Sequence, residues 1–162
     1  MITAIVLFTL TEFIGKFHPV LVHLPIGMLL LAAIFQLISV KQKSASLQPA
    51  IQISLFWGML SAIAAAVSGF LLSKTDDYDP SLISSHQWFG IAVAVISIVA
   101  FILNKQQHQH TKWVMLLMTM LVVITGHLGG SITHGSDYLT KVFSSDDQVM
   151  DNALRKPIKN VQ

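Results

Sequence analysis

The chain has 162 residues, of which 53% are hydrophobic and only 11% are charged, whereas roughly 25% are charged in soluble domains. This balance predicts an integral membrane protein built as one compact domain. The absence of cysteine excludes disulfides, iron–sulfur clusters and thiolate zinc sites, so histidine must carry any metal chemistry. The net charge of +2 is small and the lysines are scattered, which argues against nucleic-acid binding.

The N-terminal segment, residues 1–16, has apolar positions at helical spacing and a weak polar side that includes Glu12 and Lys16. It lacks the basic start and the cleavage site of a signal peptide. We interpret it as an amphipathic helix lying in the membrane interface, with a retained signal-anchor as the alternative.

Four long apolar runs follow, at residues 19–40, 50–73, 86–104 and 113–134. Each is near the roughly 20 residues needed to cross the hydrocarbon of a bilayer. Because the polar joints between them are short, neighbouring helices must run antiparallel. The sequence therefore predicts an all-α, four-span antiparallel helix bundle over residues 17–136. Residues 137–162 are predicted to form a periplasmic tail or linker with a short helix, since Ser145 and Gln148 match the pattern of a capping box.

The lysines flanking the spans predict the orientation. Lys41, Lys43, Lys105 and Lys112 adjoin the first and third joints, with no Asp or Glu beside them. That side is predicted to be cytoplasmic by the positive-inside rule. In a bacterium, the chain would be a multi-pass inner-membrane protein with both termini on the periplasmic side.

This topology sorts five of the seven histidines into the outer leaflet. His18, His86 and His134 fall at the outer boundary, whereas His23 and His127 fall about 7–10 Å deeper at 1.5 Å per residue. Ionisable side chains are costly in lipid and normally face the interior of the bundle, where they mark pathways or cofactors. The alternative is that each histidine is a hydrogen-bonded residue at a helix end.

Residues around these histidines could open space for a cofactor. Pro25 lies inside the first span, where it removes a backbone hydrogen bond and permits a kink beside His23. Gly126, Gly129 and Gly130 bracket His127 and would let a macrocycle approach closely, although they would equally suit helix packing.

Three segments, HPVLVHLPIGMLLLAAIFQL, HQWFGI and GHLGGSITHGSDYLT, resemble the bacterial membrane domain of unknown function numbered 2231. The similarity is strongest to the form that precedes planctomycete-type cytochrome c domains in Bacteroidetes. It covers about residues 17–140 and implies a four-span domain coupled to a periplasmic c-type haem module. The motif CxxCH is absent here, so that module would lie on another chain or in another domain.

Our leading hypothesis is an electron-transfer membrane domain that binds haem b between the first and fourth spans. His23 and His127 would be the axial ligands to the metal, with Gly130 beside the cofactor. His18, His86 and His134 would be second ligands, propionate partners or a second site. Electrons would pass between a membrane quinone and a c-type cytochrome domain or subunit, and the chain would be an electron-transfer subunit rather than a standalone enzyme.

Two alternatives stay open. One is a cofactor-free membrane anchor or assembly subunit for a periplasmic redox domain, in which the histidines tie helix ends together. The other is a copper or zinc site at the same histidines, since neutral imidazole is a good ligand for both metals. The oligomeric state is left open.

Overall fold

The computed structural model describes the backbone of residues 2–74, 80–138 and 140–141, and side chains from Thr9 onward within these ranges. The described residues contain helices and turns and no strand. The helices are α1 (Ile2–Lys16), α2 (His18–Leu21), α3 (His23–Gln42), α4 (Gln48–Leu72), α5 (Pro80–Lys105) and α6 (Thr111–His134). The predicted all-α class is confirmed.

Four helical stretches are long and apolar enough to cross a membrane, as predicted. They are Thr9–Gln42, Gln48–Leu72, Pro80–Lys105 and Thr111–His134. The helix predicted in the C-terminal tail lies outside the described residues.

The first of these stretches is almost continuous despite two prolines. Pro25 has no N–H to donate to the carbonyl of Leu21, so the regular helix is interrupted at Val22. Val22 nevertheless keeps helical dihedral angles, with φ −62° and ψ −25°. The 34 residues of Thr9–Gln42 would span about 51 Å at 1.5 Å per residue, well beyond the roughly 30 Å of hydrocarbon.

The excess length of this stretch packs against α4. A Cβ atom on Gly15 would lie 2.9 Å from the amide nitrogen of Leu72, so the two backbones are in close contact. The placement of residues 1–16 in the membrane interface stays a prediction.

The turns between α3 and α4 and between α5 and α6 have the same geometry. Each begins with a non-glycine residue in the left-handed region, Lys43 (φ 49°) and Gln107 (φ 52°). The next amide donates back to the carbonyl of Ser39 (3.2 Å) in one turn and of Leu103 (2.9 Å) in the other. Both are Schellman-type helix ends.

The bundle therefore consists of a first hairpin, α3–α4, and a second hairpin, α5–α6. We call the end with these turns the turn end and the opposite end the histidine end.

The core lies where the two hairpins meet. The largest fully buried apolar side chains are Leu29, Ile51, Leu55, Met115 and Met118. Gly58 makes room for the side chain of Leu29, since a Cβ there would lie 2.4 Å from the Cδ2 atom of Leu29. Small residues let membrane helices approach in this way and gain van der Waals contact.

Two buried hydroxyl groups in the middle of the bundle satisfy their hydrogen bonds within their own helices. Ser61 Oγ donates to the carbonyl of Trp57 at 2.6 Å, and Ser97 Oγ donates to the carbonyl of Ala94 at 2.7 Å. These bonds remove the cost of placing a polar group in an apolar core. The interior of the bundle can therefore hold polar side chains near the histidine end as well.

Candidate functional site

His18 lies at the start of α2, where it is half-buried against α4. Its Nδ1 atom lies 2.9 Å from the carbonyl oxygen of Ala65 and 3.3 Å from the hydroxyl of Ser68. The imidazole ring fills the space above Gly69, where a Cβ would lie 2.7 Å from its Cε1 atom. His18 therefore has a defined position between α2 and α4.

His86 is held in the same way within the second hairpin. It lies on α5, is half-buried, and places Nδ1 3.1 Å from the carbonyl oxygen of Thr125 on α6. Its ring lies above Gly129, where a Cβ would lie 3.2 Å from Cε1. In both hairpins the accepting carbonyl and the glycine are one helical turn apart, at positions 65 and 69 and at positions 125 and 129.

The two imidazole rings meet at the histidine end, with centroids 6.1 Å apart and planes inclined at 82°. We call His18 and His86 the histidine pair. The topology inferred from the sequence expects both residues at one level of the bundle, and the structure places them in contact.

The hydrogen bonds of the histidine pair indicate which nitrogen of each ring carries the proton. A backbone carbonyl only accepts, so Nδ1 must be the donor in both rings. In neutral imidazole, the lone pair is then on Nε2, which is the arrangement that second-shell carbonyls enforce on metal-ligating histidines. The histidine pair thus offers two oriented nitrogen ligands.

The separation of the rings is compatible with binding to one metal centre. A metal–nitrogen bond of about 2.0–2.1 Å places the centroid of an imidazole about 3 Å from the metal. No cluster of three or more His, Cys, Asp or Glu side chains placed to hold a metal ion occurs among the described residues. The described chain therefore supplies two imidazoles, and a bound metal would take its other ligands from elsewhere, as haem iron does.

The predicted ligands His23 and His127 have exposed side chains, and no ring contact joins them within the described part of the chain. His127 instead stacks on Tyr138 with centroids 6.3 Å apart. His134 lies on the same tyrosine at 5.6 Å, and its Nδ1 is 2.7 Å from the hydroxyl of Thr133. The role of His23 and His127 as ligands stays a prediction.

The glycines of α6 face different surroundings. A Cβ on Gly130 would lie 2.6 Å from the hydroxyl oxygen of Tyr138, whereas one on Gly126 would meet nothing within 4 Å. The space above Gly129 and Gly130 is thus filled by side chains of the protein itself. The predicted contact of Gly130 with a cofactor is not tested by this arrangement.

Sequence reasoning missed the anchoring carbonyls of Ala65 and Thr125, as well as Tyr138. A carbonyl acceptor has no residue-type signature, so nothing in the sequence identifies it. The spacing of small residues on α4, which includes Ala65 and Gly69, was the available signal that a side chain from another helix packs there.

A family model described as "Predicted membrane protein (DUF2231)" matches residues 16–138. The match covers all four membrane-spanning stretches except the first residues of the first. No curated protein and no solved structure matches the chain.

Proposed function

The chain belongs to the DUF2231 family of predicted membrane proteins, and we propose that it is an electron-transfer domain whose histidine pair binds haem b. The proposal rests on one observation. Two half-buried imidazoles, one on α2 and one on α5 of the second hairpin, lie 6.1 Å apart, each with Nδ1 at a backbone carbonyl.

The donor set fits axial ligation of haem iron. Haem iron takes one or two protein ligands, and histidine is the commonest. His18 and His86 would hold the iron through Nε2. When bound, haem supplies a one-electron redox centre.

The rest of the site would orient these ligands. The carbonyls of Ala65 and Thr125 accept the Nδ1–H bonds, which fixes the tautomer and raises the basicity of Nε2. Gly69 and Gly129 let each ring approach a helix closely, with Cε1 as the nearest ring atom. Both effects lower the entropy that His18 and His86 lose when they bind a metal.

The position of the histidine pair suits exchange of electrons with a partner outside the membrane. Lys43, Lys105 and Lys112 lie at or beside the turn end, so the positive-inside rule favours a periplasmic location for the histidine end. We propose a bacterial inner-membrane location. A c-type cytochrome is the partner that the sequence resemblance implies, and a membrane quinone is the proposed partner on the lipid side.

His23 and His127 remain the alternative pair of ligands. Both are exposed at the surface of the bundle, so they would bind haem only from outside the helices or after a rotation of α3 and α6. His18 and His86 are half-buried among the helices and their rings lie close together, which is why we assign the ligands to this pair.

Two other functions have specific support. The bonds from His18 and His86 to carbonyls also tie helices together, as in a cofactor-free anchor for a periplasmic redox domain. The same two nitrogens would suit copper or zinc, because both metals accept imidazole. The three possibilities differ in colour and metal content.

The test is to purify the full chain from haem-replete cells and to record reduced-minus-oxidised absorption spectra together with haem, copper and zinc content. We expect a b-type haem spectrum that His18→Ala and His86→Ala each abolish. His108→Ala is the matched control, since His108 is an exposed residue of the second turn, and should retain the spectrum.

Other results would each identify a different function. If the protein is colourless and contains stoichiometric copper or zinc that the same two variants lose, the bound cofactor is that metal and not haem. A colourless, metal-free protein would support the anchor. If His23→Ala and His127→Ala remove haem while the histidine pair can be replaced without loss, the ligand assignment is wrong.

A further inference from the structure

An open groove runs between α4 and α5 at the turn end, remote from the histidine pair. We call it the α4–α5 groove. It is lined by Gln52, Ile53, Phe56, Trp57, Phe101 and Lys105.

The apolar part of the α4–α5 groove is formed by three aromatic rings. The ring of Phe56 lies 5.4 Å from that of Trp57 and 5.8 Å from that of Phe101. Trp57 is 51% exposed although it sits well inside a membrane-spanning helix. Phe101 and Lys105 are one helical turn apart, so their Cα atoms are about 6 Å apart along the helix axis.

The polar part of the groove carries the positive charge of Lys105. Lys105 is the exposed last residue of α5. Residues 17–75 and 80–136 contain no Asp or Glu, so no carboxylate from these segments can neutralise it. Gln52, one turn into α4, adds an amide donor beside the lysine.

The helix ends that frame this polar part are tied together. Asn104 and Gln107 both donate side-chain hydrogen bonds to the Oε1 atom of Gln48, at 3.3 and 3.2 Å. Asn104 is 2% exposed. These bonds hold the start of α4 against the end of α5, so the spacing of Gln52 and Lys105 is set by the fold.

We propose that the α4–α5 groove is a binding site for one anionic phospholipid. Its phosphate would contact Lys105 and Gln52, and the first part of an acyl chain would lie along Phe56, Trp57 and Phe101. Charge alone would suit any phosphate. The continuation of the groove into an aromatic wall, within the membrane, selects a phosphate that carries an acyl chain. This site is independent of haem binding.

The experiment uses the fluorescence of Trp57 in the full chain. Of the three tryptophans, Trp88 and Trp113 are replaced by Phe. The protein is reconstituted into vesicles that contain phosphatidylglycerol or phosphatidylcholine brominated near the glycerol end of the acyl chain. Bromine quenches tryptophan on contact, so quenching in lipid mixtures measures the relative affinity of each lipid for the groove.

We expect brominated phosphatidylglycerol to be preferred over phosphatidylcholine by about fivefold, the size of the effect of one lysine near a membrane surface. Lys105→Gln should reduce the preference to about one. Lys112→Gln is the matched control, because Lys112 lies at the same end of the bundle but does not line the groove. It should leave the preference unchanged.

Three outcomes would overturn the proposal. The first is equal quenching by the two lipids in the parent protein. The second is an equal loss of preference in Lys105→Gln and Lys112→Gln, which would show general surface charge. The third is removal of the preference by millimolar inorganic phosphate but not by chloride of equal ionic strength, which would show a simple anion site.

Discussion

Replacing Gly69 by alanine tests whether the position of His18 depends on the glycine beneath its ring. The new Cβ would lie 2.7 Å from Cε1 and 2.9 Å from Nδ1 of His18. Ordinary contact between these atoms begins near 3.4 Å, so the ring must withdraw by about 0.5–1 Å. Its 2.9 Å bond from Nδ1 to the carbonyl of Ala65 would then be broken or badly stretched.

The cost can be worked from these contacts. A lost hydrogen bond costs about 0.5–1.5 kcal/mol, and a strained side-chain rotamer adds about 0.5–1.5 kcal/mol. Alanine also stabilises the helix by about 1 kcal/mol relative to glycine, which offsets part of this cost. Gly69→Ala should therefore lower the free energy of unfolding by about 0–2 kcal/mol.

Two matched variants separate contact from helix propensity. A Cβ on Gly129 would lie 3.2 Å from Cε1 of His86, and one on Gly126 would meet nothing within 4 Å. Gly126→Ala thus changes the free energy of unfolding through helix propensity alone. The free energy of unfolding of Gly129→Ala should lie between those of Gly69→Ala and Gly126→Ala. Relative to Gly126→Ala, Gly69→Ala should be less stable by about 1–3 kcal/mol.

The assay is reversible unfolding in detergent micelles followed by circular dichroism, with haem retention measured in parallel if haem is bound. Equal stability of Gly69→Ala and Gly126→Ala would refute the reasoning, because it would mean that His18 does not rest on α4. A greater loss in Gly129→Ala than in Gly69→Ala would contradict the order of the contact distances.

Two further predictions concern the core and the exposed histidines. Gly58→Ala should destabilise the bundle by about 1–3 kcal/mol, because its Cβ would lie 2.4 Å from Cδ2 of the buried Leu29. Gly27→Ala, which meets nothing within 4 Å, is its control in the same unfolding assay, and equal effects would contradict the packing argument. His23→Ala and His127→Ala should each change stability by less than about 0.5 kcal/mol, as exposed substitutions do. A larger loss that depends on haem would show that they are ligands.

The four spans could be predicted because hydrocarbon demands long apolar runs whatever the details of packing. The residues at which the spans begin could not be predicted. The sequence starts the third span at His86, whereas α5 begins at Pro80, because the segment that holds Leu82 and Ile83 among serines is also helical. Likewise, Pro19 suggests the start of a helix, yet helical backbone extends upstream into α1, which begins at Ile2, because a membrane helix tolerates proline.

The sequence could predict how deep in the bundle each histidine lies, but not which neighbouring helix its side chain faces. Lysine-derived topology brings His18 and His86 to one level, where the structure has them in contact. Five residues separate His18 from His23, which is a rotation of about 140° about a helix axis, so the two cannot both face one neighbour. His127 and His134, two turns apart, do share a face, and both lie beside Tyr138. The apolar residues surround each helix, so the hydrophobic pattern could not show which face is inward.

Because each ring of the histidine pair is anchored to one helix, the distance between the two rings depends on how the two halves of the bundle are aligned. His18 is fixed to α4 and His86 to α6, each by a bond that does not cross between α4 and α5. If one hairpin slid or tilted against the other, both anchors would survive while the 6.1 Å separation changed. A metal bound between the rings would therefore lock the two hairpins in register, and a signal that shifts the hairpins would loosen the metal.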